Sequence, residues 1–345
     1  MARVMIEGYP HRLGGHCGSA SLRDLIGWAG LGWDGPPGEA LVFGLAGGLS
    51  FHWMSIPEVS PLLYLGGRGG DMELDLCGRL GVAVERRQTE DPAEGWAWVT
   101  RELDAGRPVM VWAEILQLPY LRVRLSNTRH ALVIVGYDTE AGVAYVADND
   151  REEIQEVPLD ALAKARDSDG FPGRNRHATY PMRFPDSLPE LLPAAREAAA
   201  GSAARLRGDD DLSGLLPENI SDAHGLEGIS RFTTGLADWP RDLAPDDLSR
   251  LYRSLAVYIE KAGTGGALFR RLQSGFCRDV AALTGDPSFG EAAHAYAACA
   301  ETWSALASAV TAPNPDHATI ARTAAALPAL EEQALETLAA AGGQP

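Results

Sequence analysis

Cys17 is the residue of this sequence whose setting most clearly favours chemistry. It follows two glycines, Gly14 and Gly15, and it falls in the first turn of a predicted helix. The helix is predicted because apolar residues recur at spacings of three and four, at Leu22, Leu25, Ile26 and Ala29. A thiol at a helix N-terminus lies beside unpaired N–H groups and the positive end of the helix dipole, which favours the nucleophilic thiolate. The sequence therefore predicts a cysteine nucleophile, which needs a base and a group that orients the base.

A predicted β-hairpin supplies both of these partners. His130 precedes the apolar run 131–135, and Asp148 follows the second apolar run 143–147, with a turn between the two runs. Antiparallel pairing brings the start of the first strand beside the end of the second. We therefore predict His130 as the base and Asp148 as its orienter, which gives a Cys-His-Asp triad.

Acyl transfer also requires hydrogen-bond donors for the oxyanion of the tetrahedral intermediate. The backbone N–H of Cys17 is one predicted donor, and the side chain of His11, six residues earlier, is another. His16 is the alternative side-chain donor. Asn149 follows Asp148 in the same loop and is a further candidate for contact with the oxyanion or the substrate.

Each of these residues also has a plain structural interpretation. A cysteine at a glycine-rich helix start is often only structural, and a histidine such as His130 often bonds backbone at a strand end. His11, His16 and Cys17 could together bind zinc, but they crowd three ligands into one short segment without a distant fourth. We therefore expect no metal. No cofactor is expected either. The glycine-rich run 43–49 is not a phosphate loop, because no Gly-Lys-Ser/Thr follows it.

Composition excludes several classes of protein. The chain has 345 residues, 46% of them hydrophobic, and a net charge of −17. Such a charge argues against binding to nucleic acid or to an anionic membrane surface. No apolar run of about 18 residues and no basic-then-apolar leader are present, so we expect a cytoplasmic protein without a membrane span. The four cysteines are scattered, which indicates no disulfide framework.

A change of composition near residue 185 predicts two domains. Residues 1–185 are predicted to be α+β, with helices packed on an antiparallel sheet, and residues 186–345 to be all-α. In the first part, Asp91-Pro92 with Glu94 predicts a helix start by a capping box, and 179–184 predicts a strand. In the second part, helices are predicted over 189–206, 245–261, 267–283, 290–310 and 317–341.

Several sequence blocks resemble the butirosin biosynthesis protein H family. The similarity covers nearly the whole chain. The blocks are Gly15-His16-Cys17-x-Ser19-x-x-Leu22-Arg23, Phe43-Gly44-Leu45 with Gly47-Gly48, 106–109 through Leu118-Pro119-Tyr120, 130–138 to Val146-Ala147-Asp148, and 259–266 through 268–272.

The resemblance implies a papain-like fold, similar to the C39 peptidases, that is used for acyl transfer. It implies an acyl carrier protein or another thioester as donor and a small-molecule amine as acceptor. Cys17, His130 and Asp148 match the nucleophile, base and orienter. Within the Leu-Pro-Tyr block, Tyr120 and the nearby Glu114 become candidates for substrate contact.

An acidic carrier protein would need a local basic patch on this acidic chain. Arg122, Arg124 and Arg129 are the candidates for that patch.

The sequence thus predicts a thiol acyltransferase of natural-product biosynthesis. The alternative is a hydrolase, either a cysteine peptidase or an amidase, that uses the same triad with water as acceptor. A third interpretation is a binding protein that keeps the scaffold without catalysis.

Overall fold

The structure is a computed structural model that describes residues 3–55, 63–123, 125–209 and 222–343. Arg124 of the predicted basic patch lies outside the described residues. By their contacts the residues form two compact units, which we call the first unit (residues 1–39 and 77–189) and the second unit (residues 40–76 and 190–345). The contacts thus group 40–76 with the C-terminal part of the chain. The division into domains 1–185 and 186–345, made on composition, stays a prediction.

The helices and strands are numbered in chain order. The strands are β1 (Arg3–Met5), β2 (Leu49–Ser55), β3 (Leu63–Arg68), β4 (Ala83–Val84), β5 (Val109–Ala113), β6 (His130–Asp138), β7 (Val143–Ala147), β8 (Gln155–Pro158), β9 (Thr179–Tyr180), β10 (Met182–Arg183) and β11 (Asp222–His224). The helices are α1 (Cys17–Trp28), α2 (Glu39–Leu45), α3 (Met72–Leu80), α4 (Pro92–Asp104), α5 (Leu159–Ala165), α6 (Leu191–Arg207), α7 (Gly225–Asp242), α8 (Pro245–Glu260), α9 (Arg270–Thr284), α10 (Pro287–Val310), α11 (His317–Ala325) and α12 (Leu327–Ala341). Short 3₁₀ helices span Ile115–Gln117 and Ala267–Phe269.

The first unit is built on an antiparallel sheet with β6 at its centre. The strand order is β8-β7-β6-β5-β9, and β1 pairs with the far end of β6. Every residue of β6 except Asp138 is buried, because α1 and α4 pack on this strand. The predicted α+β class and the predicted β6–β7 hairpin are confirmed.

The helix start at α4 forms as predicted, but its capping box closes through an extra residue. The Asp91 side chain accepts a hydrogen bond from the N–H of Ala93 at 2.9 Å. The predicted back-bond from Glu94 to the Asp91 N–H is wrong. The Thr89 hydroxyl instead accepts from the Asp91 N–H at 3.1 Å and donates to the Glu94 carboxylate at 2.6 Å.

The predicted strand over 179–184 is two short strands in different sheets. β9 pairs with β5, whereas β10 pairs with β4. Pro181 separates them, and a proline has no N–H to continue a ladder.

The second unit is mostly helical, as predicted for the C-terminal region, and it also contains a three-stranded sheet in the order β11-β2-β3. Residues 40–76 contribute β2, β3 and most of α2, none of which the sequence analysis predicted. The glycine-rich run 43–49 begins inside α2. A Cβ atom at Gly44 would lie 1.9 Å from Cγ of Phe276, so the glycine allows this ring to pack on the helix backbone.

The C-terminal helices differ from their predicted spans in three places. The helix predicted over 267–283 begins only at Arg270, as α9, because residues 267–269 have positive φ angles. The single helix predicted over 317–341 is α11 and α12, which meet at Ala326. Pro328 lies in the first turn of α12, where a proline is tolerated but cannot continue a preceding helix. α7 was not predicted, although its buried residues follow the helical spacing, at Ile229, Phe232, Thr233 and Leu236.

The core of the second unit contains a buried ion pair between Arg270 and Glu331. Nε of Arg270 donates to Oε1 of Glu331 at 2.7 Å, and Nη2 donates to Oε2 at 3.2 Å. Nε1 of Trp303 also donates to Oε1 of Glu331, at 2.6 Å. The charges are thus paired and hydrogen-bonded, as buried charges must be. In the described part of the chain, no helix has the length and apolar character that crossing a membrane requires.

Candidate active site

The candidate nucleophile, Cys17, is the first residue of α1 and is 8% exposed. His16 is the N-cap of this helix, and its Nδ1 accepts a hydrogen bond from the N–H of Ser19 at 3.2 Å. The histidine thus takes the place that Ser, Thr, Asn or Asp usually fills at a helix start. The candidate role of His16 towards an oxyanion stays a prediction.

Glu39 holds the turn that precedes Cys17. Its carboxylate accepts hydrogen bonds from the N–H of Gly15 at 2.9 Å, the N–H of His16 at 2.8 Å and the hydroxyl of Ser19 at 3.0 Å. A carboxylate is stabilised near a helix N-terminus by the helix dipole. Glu39 therefore fixes the backbone on the N-terminal side of the thiol.

Asn149, the residue after Asp148, is hydrogen-bonded to the turn that precedes Cys17. Its Nδ2 donates to the carbonyl of Gly14 at 3.0 Å, and the Gly14 N–H donates to the Asn149 carbonyl, also at 3.0 Å. This pair of bonds fixes the nucleophile segment against the turn that carries Asp148. A contact of Asn149 with substrate stays a prediction.

The pairing of β6 with β7 brings His130 and Asp148 together. Val133 pairs with Ala147, so Asp148 continues the register opposite residue 132, one diagonal step from His130 on the same sheet face. Diagonal neighbours on an antiparallel pair are within reach of long side chains. Nε2 of His130 lies 2.8 Å from Oδ2 of Asp148.

The Cys17 thiol acts on the His130 ring, because a hydrogen bond with this thiol is among the interactions that raise the pKa of His130. Because Nε2 of His130 faces Asp148, Nδ1 is the nitrogen left for the thiol. The structure therefore brings the three predicted residues into one hydrogen-bonded chain, Cys17–His130–Asp148, inside the first unit.

The interactions among Cys17, His130 and Asp148 favour an imidazolium at His130 beside a carboxylate at Asp148. Burial alone would lower the pKa of His130, but the Asp148 carboxylate and the bonds to Asp148 and Cys17 raise it well above its usual value. Burial alone would raise the pKa of Asp148, but the charge of His130 and the bonds from His130 and Tyr120 hold it below its usual value. A charged His130 in turn favours the thiolate form of a neighbouring cysteine.

Tyr120 is a fourth member of this network. Its hydroxyl donates to Oδ2 of Asp148 at 2.7 Å, the same oxygen that faces His130. Oδ1 of Asp148 accepts the N–H of Asp150 at 3.2 Å. The buried carboxylate is thus held on both oxygens. The predicted role of Tyr120 in substrate contact stays untested.

Glu114 holds the segment that leads to Tyr120. Its carboxylate accepts from the N–H groups of Leu116 and Asn127, at 3.2 and 2.9 Å, and from the hydroxyl of Ser126 at 2.6 Å. These bonds close the loop that begins at the 3₁₀ helix. The predicted contact of Glu114 with substrate stays a prediction.

Both ring nitrogens of His11 have partners within the fold. Nδ1 lies 3.2 Å from Oδ2 of Asp24, and Nε2 lies 2.7 Å from the carbonyl oxygen of Arg151. The spacing of residues predicts neither partner, and the His11–Arg151 contact spans 140 residues. The predicted role of His11 as an oxyanion donor stays a prediction.

The structure also bears on a metal site and on the predicted basic patch. Among the described residues, no group of three His, Cys, Asp or Glu side chains is arranged to hold a metal ion. The guanidinium of Arg129 lies over the Trp112 ring, 5.3 Å from its centroid, and Arg122 is exposed. A shared basic patch for an acidic partner stays a prediction.

An α+β unit with a cysteine, a histidine and an aspartate in one hydrogen-bonded chain is a frame for thiol chemistry. The N-terminal part of the chain belongs to the butirosin biosynthesis protein H family. The family described as butirosin biosynthesis protein H, N-terminal, matches residues 16–149. A domain of unknown function, DUF4872, matches residues 160–338, which is more than half of the chain. A comparison with curated proteins finds no match. Family membership supports a biosynthetic enzyme.

Proposed function

We propose that the protein is a thiol-dependent acyltransferase of natural-product biosynthesis. The observation that carries the proposal is the hydrogen-bonded chain Cys17–His130–Asp148, formed on a family member's scaffold. The proposal includes a papain-like first domain and a cytoplasmic location. The acyl donor is an acyl carrier protein or another thioester, and the acceptor is a small-molecule amine.

In the first half-reaction the Cys17 thiolate attacks the carbonyl carbon of the thioester. The tetrahedral intermediate collapses, the carbon–sulfur bond of the donor breaks, and the His130 imidazolium gives its proton to the leaving thiolate, which departs as a thiol. Cys17 is left as a thioester of the acyl group. In this proposal the backbone N–H of Cys17 donates one hydrogen bond to the oxyanion.

In the second half-reaction the amine attacks the acyl carbon of Cys17. Neutral His130 takes the proton that the amine loses, and the thiolate of Cys17 leaves as the amide forms. Asp148 holds the ring orientation and stabilises the imidazolium in both halves. The cycle ends with the same imidazolium–thiolate pair.

The test is the capture of the acyl-enzyme. We expect wild-type protein incubated with a small acyl thioester to gain one acyl mass in an intact-mass spectrum, and Cys17→Ala to gain none. Cys77→Ala, a buried cysteine of α3, is the matched control and should acylate as wild type does. Undiminished turnover by Cys17→Ala would refute the proposal.

The second candidate is a hydrolase with the same chain of residues. Water then takes the place of the amine, so the product is an acid whether or not an amine is added. Product analysis with and without amine separates the two reactions. If Cys17 reacts with iodoacetamide near pH 7 only as slowly as an inert buried thiol, a binding protein without catalysis is favoured instead.

A further inference from the structure

The two bonds of His11 define the protonation state of its ring. Nδ1 faces a carboxylate oxygen of Asp24 at 3.2 Å, and Nε2 faces the backbone carbonyl oxygen of Arg151 at 2.7 Å. Both oxygens can only accept hydrogen bonds. A neutral imidazole has one N–H and one acceptor nitrogen, whereas an imidazolium has two N–H donors. Both bonds are made together only if His11 is an imidazolium.

The groups around His11 are consistent with a cation at this position. Its side chain is 6% exposed, and burial alone would lower the pKa of His11. The Asp24 carboxylate and the Arg151 carbonyl outweigh burial and the opposing charge of Arg23, so the pKa of His11 is raised. Among the described residues, Tyr9 and Arg12 are the other ionisable groups beside this pair: the Asp24 charge acts on Tyr9, and Nε of Arg12 lies 3.9 Å from Oδ1 of Asp24.

The two partners of His11 lie on the two elements that must be aligned for catalysis. Asp24 belongs to α1, seven residues after Cys17. Arg151 belongs to the turn that begins at Asp148. His11 therefore joins the helix of the nucleophile to the turn of the orienter.

Arg151 extends the connection to Tyr120. Its Nη2 donates to the Tyr120 carbonyl at 2.7 Å, and its guanidinium lies 5.9 Å from the centroid of the Tyr120 ring. The Tyr120 hydroxyl donates to Asp148. A closed circuit of contacts therefore runs from α1 through His11, Arg151 and Tyr120 to Asp148, and returns through His130 to Cys17.

We propose that His11 is a positioning residue that acts as a cationic clamp between α1 and the turn 148–151, keeping Cys17 and His130 in register. This inference rests on the proposed function for its catalytic meaning. When His11 loses a proton, one of its two bonds loses its donor, so the clamp holds only while the ring is charged. The role differs from that of an oxyanion donor, because both N–H groups are used within the fold.

The first test measures the wild-type ring directly. Imidazole ¹⁵N NMR on the full-length protein, with His11 assigned by the loss of its signals in His11→Gln, should show two protonated nitrogens at pH 7. The ring should titrate above the ordinary histidine value of about 6.5. A His11 ring that is mainly singly protonated at pH 7 would overturn the proposal. This reading needs no substrate, and it uses the variant only to identify signals.

The second test separates a clamp from an oxyanion donor by using a reaction that forms no oxyanion. Alkylation of Cys17 by iodoacetamide is a displacement at a CH₂ carbon. A clamp predicts that His11→Gln alkylates about fivefold more slowly at pH 7, the effect of one lost hydrogen bond of about 1 kcal/mol, with its pH profile moved to higher pH. His294→Gln, an exposed histidine of α10, is the control and should match wild type.

The outcomes distinguish this inference from the proposed function. An unchanged alkylation profile in folded His11→Gln, with acyl transfer impaired, would favour the oxyanion role and overturn the clamp. If the alkylation profile of His11→Gln is altered and the wild-type protein transfers no acyl group, the clamp is supported and the acyltransferase proposal is refuted. If His11→Gln does not fold, His11→Asn is used for both the assignment and the alkylation profile.

Discussion

At the scale of single residues, the site depends on how one carboxylate is shared. Oδ2 of Asp148 faces both Nε2 of His130 and the hydroxyl of Tyr120, at 2.8 and 2.7 Å. The carboxylate is fully buried, so its charge is screened little by water and acts strongly on the imidazole. Asp148 therefore controls how much of the Cys17–His130 pair exists as thiolate and imidazolium.

Replacing Asp148 by Asn should uncouple this pair. The raised pKa of His130 depends on the Asp148 carboxylate, so the pKa of His130 should fall in Asp148→Asn. A smaller fraction of Cys17 is then ionised at pH 7. The rate of alkylation by iodoacetamide should therefore reach its maximum only at higher pH, nearer the ordinary thiol pKa of about 8.5. We expect acyl transfer to fall by about 10⁴-fold, the size of the effect when a triad aspartate is replaced by asparagine.

Asp150→Asn is the matched control for this change. Asp150 lies two residues away, its side chain is 64% exposed, and its backbone N–H, which the substitution keeps, is the group that bonds Asp148. Its alkylation profile should equal that of wild type. An Asp148→Asn profile equal to that of Asp150→Asn would mean that Asp148 does not tune the pair.

The residues of the site differ in how far the sequence could predict them. Cys17 has a local signal, the glycines before an amphipathic helix, and the register of a hairpin relates His130 to Asp148. Tyr120 and Arg151 reach the site through contacts between irregular segments. Neither residue has a spacing that encodes its partner, so only the folded chain reveals the circuit through His11.

At the scale of elements, β6 has the candidate base, His130, at one end and pairs with the edge strand β1 at the other end. Met5 of β1 pairs with Gly136 of β6. A Cβ atom at Gly136 would lie 2.5 Å from the carbonyl oxygen of Val4 and 3.1 Å from Cα of Met5. The missing side chain thus lets β1 approach the end of β6 opposite His130.

Gly136→Ala should therefore destabilise the first unit by displacing β1. We expect the free energy of unfolding in urea to fall by about 1–3 kcal/mol, the usual cost of overpacking. Cys17 alkylation in the folded variant should stay close to wild type, because His130 lies six residues away on the strand.

Gly78→Ala provides the control of opposite sign. Gly78 lies in α3, and an added Cβ would meet nothing within 4 Å. Removing a glycine from a helix interior should stabilise the protein by about 0.5–1 kcal/mol. Equal unfolding free energies for the two variants would show that the approach of β1 to Gly136 does not limit stability.

The elements also differ in predictability for physical reasons. The buried strands β5 and β6 are continuous apolar runs, and such runs are readable from sequence. α2 and β2 lie in a segment rich in glycine, where local propensity is weak and packing decides the structure. Phe43 of α2, for example, stacks on Phe269 at a centroid distance of 5.2 Å, a contact that spans most of the chain.

At the scale of the whole molecule, the change of composition predicted that the chain is divided into two parts. It did not predict which segments fold together. The change of composition near residue 185 lies close to the point where the chain enters the second unit at Glu190. Residues 40–76 also belong to the second unit, and composition carries no signal for that. Pairing such as Trp53 with Ala223, between β2 and β11, joins them to it.

The net charge of −17 leads to a prediction for the protein as a whole. With 47 acidic and 30 basic residues, the chain repels itself at pH 7. Salt shortens the reach of this repulsion from about 30 Å at 0.01 M to about 8 Å at 0.15 M. Raising NaCl over this range at pH 7 should therefore increase the melting temperature, by about 2–4 °C for each kcal/mol gained. At pH 5, near the sequence pI of about 4.9, the same salt step should have little effect. Differential scanning calorimetry at both pH values measures this, and an equal response at pH 5 and pH 7 would show that net charge does not limit stability.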